Sequence, residues 1–99
     1  MPFHETYIAG VKFRPDAEAV LAAAPDDAEF QLDPEPTNPH DPNAVRVMLG
    51  DVHVGFVPRA LSAEISAMIR DSRICQTTRR PGTKSGIAIH YVNQLEEPL

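Results

Sequence analysis

Residues 44–57, AVRVMLGDVHVGFV, carry the strongest structural signal in this chain of 99 residues. Apolar and β-branched side chains fill Ala44 to Leu49 and again Val52 to Val57. The Gly50-Asp51 pair between these runs is a two-residue turn of the kind that joins antiparallel strands. The pattern therefore predicts a β-hairpin.

The segment before this hairpin, residues 33–43, is DPEPTNPHDPN and contains four prolines. Proline fixes φ and has no N–H to donate, so the segment predicts a rigid loop rather than a helix or a central strand. A rigid loop suits ligand recognition, because its polar side chains lose little conformational entropy on binding. The same Asn and Asp side chains also commonly bond to the backbone nearby and fasten a turn, and both interpretations stay open.

The segment after the hairpin begins with Pro58 and predicts an amphipathic helix over residues 59–70, since Leu61, Ile65 and Met68 recur at helical spacing. Propensity and alternation predict a further helix over residues 16–24 and further strands over residues 6–13, 28–32, 73–78 and 86–92. Six short strands and one or two helices make a mainly β fold with α, a small barrel with a helical lid or plug. We expect a single domain over residues 6–93 and a loose C-terminal tail over residues 94–99.

Composition excludes several classes of protein. Hydrophobic residues make up 42% of the chain and charged residues 23%, which is typical of a globular domain. The single cysteine, Cys75, has no partner for an internal disulfide or a zinc site. No signal peptide is visible, and no apolar run approaches the roughly 18 residues that a membrane-spanning helix needs. We therefore expect a cytoplasmic protein without a membrane segment, associated with the nucleoid if it binds DNA.

The charges of the chain are unevenly distributed around a net charge of −5. Residues 16–35 hold seven acidic residues and no basic one, whereas Arg70, Arg73, Arg79, Arg80 and Lys84 cluster near the end. A charge run usually faces water, and Arg79-Arg80 most often marks a solvated hairpin tip, although in a barrel it also suits a phosphate chain. The acidic stretch supports an alternative function, a protein-interaction or inhibitor module whose acidic face, residues 16–35, binds a basic or DNA-binding protein.

Three segments together resemble the HIRAN domain: Gly10-Val11-Lys12-Phe13-Arg14, the run EPTNPHDPNAVRV over residues 35–47, and VGFVPRAL over residues 54–61. The resemblance covers roughly residues 6–70, and its specific part is the central run rich in proline and side-chain amides. It implies a modified barrel like that of oligonucleotide/oligosaccharide-binding (OB) domains. Such domains occur fused to helicase-like DNA remodelling and repair proteins and also alone in bacteria and phages.

The resemblance also implies a site that holds the 3′ end of single-stranded DNA. Lys12 would neutralise a backbone phosphate, Phe13 would stack on the terminal base, and Asn38 with Asp41 would hydrogen-bond the 3′-hydroxyl and sugar. His40, which stands where the family often has tyrosine, would flank the terminal nucleotide. Phe56 and Arg59 would complete the pocket wall and contact phosphate.

Physical chemistry supports this assignment without the family. A carboxylate such as Asp41 accepts a hydrogen bond from a free hydroxyl but repels a phosphodiester, so the site would prefer a strand end. Aromatic stacking on Phe13 and Phe56 contributes about 1 to 3 kcal/mol per base and tolerates any sequence. The expected partners are a single-stranded DNA end and a helicase or other DNA-processing protein, and the oligomeric state is left open.

An enzyme is the less favoured class. His40 and Asp41 are adjacent in an extended loop, so their side chains point apart, and no His-x-x-x-His arrangement accompanies them. No nucleotide-binding glycine loop or cysteine nucleophile stands out, because the strand setting of Cys75 is typical of a buried thiol. We therefore expect a protein without catalytic residues, metal or cofactor.

Overall fold

The computed structural model describes residues 2–93, which form six antiparallel strands and two helices. The strands are β1 (Phe3–Tyr7), β2 (Glu29–Pro34), β3 (Val45–Leu49), β4 (Val52–Phe56), β5 (Ile74–Arg79) and β6 (Gly86–Tyr91), and the helices are α1 (Ala17–Ala23) and α2 (Arg59–Arg70). A short 3-10 helix, Val11–Phe13, lies between β1 and α1. The mainly β fold and the hairpin over residues 44–57 are confirmed. No helix within residues 2–93 is long and apolar enough to cross a membrane.

The strands form one sheet in the order β1-β6-β5-β2-β3-β4, and every neighbouring pair is antiparallel. The chain just after β1 returns to the end of β4, where Ala9 donates to the Phe56 carbonyl at 2.8 Å and Phe56 donates to the Ala9 carbonyl at 2.9 Å. This bridge connects the two ends of the sheet. The sheet therefore curls into a half-barrel, the barrel type that the sequence predicted.

The half-barrel closes over a glycine in β4. A Cβ atom at Gly55 would lie 2.5 Å from Ile8 Cγ2 and closer still to the Ala9 carbonyl oxygen. Side chains do not tolerate such distances, so the backbone of residues 8 and 9 reaches β4 only because residue 55 has no side chain. The close approach of the two chain segments explains why residue 55 is a glycine.

We expect the substitution Gly55→Ala to lower the free energy of unfolding by about 1 to 3 kcal/mol, because the added methyl group pushes the Ile8–Ala9 segment away from β4. Chemical denaturation of both proteins measures the change. Gly82→Asn is the matched control, since Gly82 faces open space and asparagine tolerates its positive φ of 78°. Equal stability of Gly55→Ala and wild type would contradict this account of closure.

The core lies between the concave face of the sheet and the two helices. It contains alternate residues of the strands, such as Val45 and Val47 of β3 and Ile87 and Ile89 of β6, all fully buried. Helix α1 adds Ala17 and Leu21, and α2 adds Ile65 and Met68, at the spacing that places them on one helical face. This packing fixes both helices relative to the sheet.

The predicted strand over residues 6–13 is wrong for most of its length, because β1 starts at Phe3 and includes only residues 6 and 7 of that range. The strand ends at Tyr7, Gly10 adopts a left-handed conformation with φ of 77°, and Val11–Phe13 forms the 3-10 helix. Glycine takes this conformation without steric cost, so Gly10 turns the chain rather than forming a bulge within a strand. Lys12 and Phe13 therefore project from a turn.

The predicted loop over residues 33–43 begins two residues later than expected, because Asp33 and Pro34 belong to β2. The end of β2 pairs only with β3, because the pairing of β2 with β5 involves Glu29 and Phe30 at its start. An edge position needs no N–H from the proline, so Pro34 is compatible with the strand. The predicted tail, residues 94–99, lies outside the described residues, and the domain extent of 6–93 stays a prediction.

The expected solvated tip at Arg79-Arg80 is also wrong. Arg79 is buried, and its guanidinium donates to the carbonyls of Leu21 at 2.7 Å and Ala24 at 3.3 Å, at the C-terminal end of α1. A cation there satisfies helix carbonyls and complements the helix dipole. Arg80 pairs with Glu5 at 2.8 Å. Both arginines therefore bind groups elsewhere in the domain and are not solvated residues of a hairpin tip.

Candidate nucleic-acid interface

The loop between β2 and β3 is fastened by Asn38. The Asn38 Oδ1 atom accepts hydrogen bonds from the backbone N–H of His40 at 2.8 Å and of Asp41 at 3.1 Å, and its Nδ2 donates to Glu35 Oε1 at 2.7 Å. The base of the loop is closed by the Glu35 N–H, which donates to the Ala44 carbonyl at 2.8 Å. The turn-fastening role expected of such residues is confirmed for Asn38, and its amide retains one free N–H for a ligand.

Asp41 connects this loop to helix α2. Its Oδ1 accepts from the Asn43 N–H at 2.8 Å, and its Oδ2 accepts from the Ser62 hydroxyl at 2.8 Å. The pKa of Asp41 is lowered from its ordinary value of 3.8, chiefly by the Asn43 hydrogen bond, then by Ser62 and by the positive charge of Arg59. Each carboxylate oxygen offers about two acceptor positions, so Asp41 can accept a further hydrogen bond from a ligand.

An open cavity of about 330 Å³ lies between this loop, the end of β4 and the start of α2. Five of the seven site residues predicted from the sequence line it: Asn38, His40, Asp41, Phe56 and Arg59. Ala9, Ala44 and Val57 provide the apolar remainder of the wall. The cavity thus combines an aromatic ring, a carboxylate and a guanidinium on an apolar surface.

Phe56 is held in place by His53, which precedes it in β4. The two rings meet edge to face with centroids 4.8 Å apart, and His53 Nε2 donates to the Gly55 carbonyl at 2.8 Å. Burial, and then the positive charge of Arg14, lower the pKa of His53 below its ordinary 6.5. A neutral imidazole at pH 7 therefore supports the ring of Phe56.

Arg59 and His40 flank the mouth of the cavity, and both are exposed. The Arg59 guanidinium donates to the His40 carbonyl at 3.4 Å, a long contact that leaves most of its donors free. Because Arg59 is the first residue of α2, it lies beside Asp41, whose carboxylate faces Ser62 of the same helix. The Arg59 guanidinium and the Asp41 carboxylate therefore line the same cavity.

Lys12 and Phe13 do not line this cavity but the one next to it, which has a volume of about 560 Å³. Phe13 is 77% exposed, and Lys12 Nζ lies 5.2 Å from the centroid of its ring. Ala9, which lines the first cavity, directly precedes Gly10, which lines the second. The predicted site residues are thus divided between two neighbouring cavities.

Two residues of the site were missed by the sequence interpretation. Ser62 lies in the predicted amphipathic helix, is 3% exposed and donates to Asp41, which lies 21 positions away in the chain. His53 lies in the predicted hairpin and packs against Phe56. The position of His53, three residues before Phe56, could have indicated its contact with that ring. Ser62 is too far from Asp41 in the sequence for any such indication.

The described part of the chain contains no group of three or more His, Cys, Asp or Glu side chains able to hold a metal ion. Cys75 is exposed rather than buried, which corrects the expectation from its strand setting.

The model of the HIRAN domain matches residues 3–89, so the chain belongs to the HIRAN domain family. HIRAN domains are known in general as DNA-binding modules and are not catalytic by themselves. Among solved structures, the chain is similar to the crystal structure of the HIRAN domain of human HLTF, with a TM-score of 0.73 and 14% identity. That match covers 90% of this chain and 74% of the HLTF chain and shows a shared fold. A search of curated proteins gave no match.

We expect Asp41→Asn to lower the melting temperature at pH 7, because an amide is a poorer acceptor for the Asn43 N–H and the Ser62 hydroxyl. Since folding lowers the pKa of Asp41, its carboxylate stabilises the native state above pH 3.8, and this contribution is lost as the pH falls through the folded-state pKa. The difference between wild type and variant therefore shrinks below about pH 4.

Thermal unfolding at pH 7 and pH 3 measures this difference, with Asp26→Asn as a control at an exposed turn residue. A difference for Asp41→Asn that stays constant or grows on acidification would contradict the assigned role.

Proposed function

We propose that this HIRAN domain binds single-stranded DNA and recognises its 3′-hydroxyl end. The observation that carries the proposal is the position of the Asp41 carboxylate on an open cavity beside Phe56 and Arg59. Asn38 shares this cavity with Asp41 and Arg59, whereas Lys12 and Phe13, which were expected at the same site, line the other cavity. The proposal also agrees with the DNA binding known for the family.

The chemistry of the cavity suits a strand end. The free acceptor positions of Asp41 accept a 3′-hydroxyl, whereas a phosphodiester or 3′-phosphate places negative charge against the carboxylate. The low pKa of Asp41 keeps this charge present at neutral pH. Phe56 offers a face for the terminal base, and Arg59 offers free donors for the phosphate that precedes it.

The loop and the Asp41 carboxylate are preorganised for a ligand. Asn38 and Ser62 hold the loop and Asp41 in place before any ligand arrives, so binding costs little conformational entropy. The hydrogen bonds that fasten the loop thus orient its carboxylate toward the cavity. The structural and the ligand-binding interpretations of this loop are therefore compatible.

The role fits DNA repair or replication-fork processing, alongside a helicase or another DNA-processing protein, at a cytoplasmic, nucleoid-associated location. Because the net charge of −5 opposes long-range attraction to DNA, we expect modest affinity that falls steeply with salt. The binding free energy then comes from contacts within the cavities rather than from the electrostatic potential of the whole protein.

The alternative of an acidic interaction face has weaker support. Of the seven acidic residues in 16–35, Asp33 and Glu35 lie against Arg46 and are partly neutralised by it. The other five are exposed and lie just before α1, on α1, in the following turn and at the start of β2. The acidic face is therefore smaller than the sequence predicted.

Fluorescence anisotropy at low salt tests the proposal with 5′-labelled oligonucleotides that carry a 3′-hydroxyl, a 3′-phosphate or a blocked 3′ end. We expect wild type to prefer the 3′-hydroxyl by about tenfold, as one charge-assisted hydrogen bond gained or lost implies. Asp41→Asn removes the preference, because the charge that rejects phosphate is gone.

Two controls separate ligand binding from folding. Asp26→Asn keeps the preference, and Ser62→Ala lowers the melting temperature and weakens the preference without abolishing it, because the Asp41 charge stays but the Ser62 hydroxyl no longer holds it. Equal affinity of wild type for all three oligonucleotides would refute recognition of the 3′ end. Absence of DNA binding, together with saturable binding of a polylysine peptide, would favour the acidic face instead.

A further inference from the structure

The larger of the two cavities collects both lysines of the chain. It lies between the 3-10 helix and the β5–β6 loop, and Lys12 lines it from one side and Lys84 from the other. Leu21 and Ala22 of α1 form its apolar floor. Phe13 stands at its edge with 77% of its surface exposed. The cavity thus combines two ammonium groups, an aromatic face and an apolar base.

Several arginines of the chain are engaged elsewhere in the fold. Arg46 pairs with Asp33, Arg79 binds the carbonyls at the end of α1, and Arg80 pairs with Glu5. Within residues 2–93, neither Lys12 nor Lys84 forms an ion pair within 4 Å. Lys12 and Lys84 therefore line this cavity as cations outside these ion pairs, and Arg59 does so at the smaller cavity.

The β5–β6 loop presents Lys84 from a fixed position. Thr83 Oγ1 donates to the Arg80 carbonyl at 2.8 Å and accepts from the Gly86 N–H at 3.1 Å, which closes the turn. The Ser85 carbonyl accepts from the Ile8 N–H at 2.8 Å. This last bond ties the loop to the segment that leads through Ala9 into Gly10, and hence to both cavities.

We propose that Lys84 and Ser85, together with Lys12, bind the backbone phosphates of the nucleotides that precede the strand end. This inference rests on the proposed function and extends it from one nucleotide to a short tract of single-stranded DNA. The 3′ terminus lies in the smaller cavity, and the strand continues past Ala9 and Gly10 into the larger one. Phe13 then stacks on an upstream base instead of the terminal base.

The opposing charge in the same cavity is Glu18. Its carboxylate comes from the first turn of α1 and lines the cavity with the two lysines. It repels phosphate and so confines the strand to the side of Lys84 and Lys12. Removal of a positive charge and removal of this negative charge therefore have opposite effects on the same ligand.

Fluorescence anisotropy with 5′-labelled oligothymidylates of two to six nucleotides, all with a 3′-hydroxyl, tests the inference. We expect the affinity of wild type to rise with length. Lys84→Gln binds the dinucleotide as wild type does but binds the hexanucleotide about three- to tenfold more weakly, and the slope of log affinity against log salt becomes shallower by about 0.7. Lys12→Gln gives a similar loss.

Glu18→Gln is the opposite test, and it raises the affinity for the hexanucleotide by about two- to fivefold while leaving the dinucleotide unchanged. Arg70→Gln is the matched control for a lost positive charge, since Arg70 is exposed at the end of α2 and bonds to Ser66. This control leaves both affinities at the level of wild type. Circular dichroism verifies that each variant is folded.

The inference is overturned if Lys84→Gln binds the hexanucleotide as tightly as wild type, or if it weakens both lengths equally. Failure of the proposed function is a separate result. Loss of affinity in Lys84→Gln without any preference for a 3′-hydroxyl in wild type supports the phosphate site and refutes recognition of the end. If wild type prefers the 3′-hydroxyl but Lys84→Gln has the same length dependence as wild type, recognition of the end is supported and the phosphate site is refuted.

Discussion

The pair of backbone hydrogen bonds between Ala9 and Phe56 is the contact on which the rest of the candidate interface depends. It joins the segment after β1 to the end of β4 and so turns an open sheet into a half-barrel. Ala9 lines the smaller cavity, and Gly10, the next residue, turns the chain into the larger one. Gly55 makes this approach possible, because any side chain there would collide with residues 8 and 9. One steric constraint thus positions both cavities.

The loop between β2 and β3 shows how rigidity and recognition coincide. Prolines restrict its backbone, Asn38 bonds to two of its N–H groups, and Ser62 of α2 holds Asp41 from outside the loop. The Asn43 N–H and then the Ser62 hydroxyl, which donate to the two carboxylate oxygens, lower the pKa of Asp41 and orient its side chain. A negative charge held at a fixed point discriminates between a hydroxyl and a phosphate better than a mobile one does, since it cannot withdraw from a repulsive ligand.

The distribution of charge reconciles an acidic protein with a DNA-binding fold. Arg79 and Arg80 satisfy the end of α1 and Glu5, whereas Lys12, Lys84 and Arg59 stay available at the two cavities. A net charge of −5 weakens attraction at long range, where salt screens it, but has less effect on contacts at a few ångströms. The position of a few cations therefore matters more than the total charge.

Turn residues, prolines and hydrophobic periodicity act locally, so the residues alone were enough to predict the hairpin over residues 44–57, the rigid loop before it, helix α2 and the family. The sequence also indicated five residues that line one cavity. The folded chain was needed to show that Lys12 and Phe13 line a second cavity, that Arg79 is buried, and that Ser62 holds Asp41. These facts depend on which distant segments meet when the sheet curls, and contacts across tens of residues leave no periodic pattern in the chain.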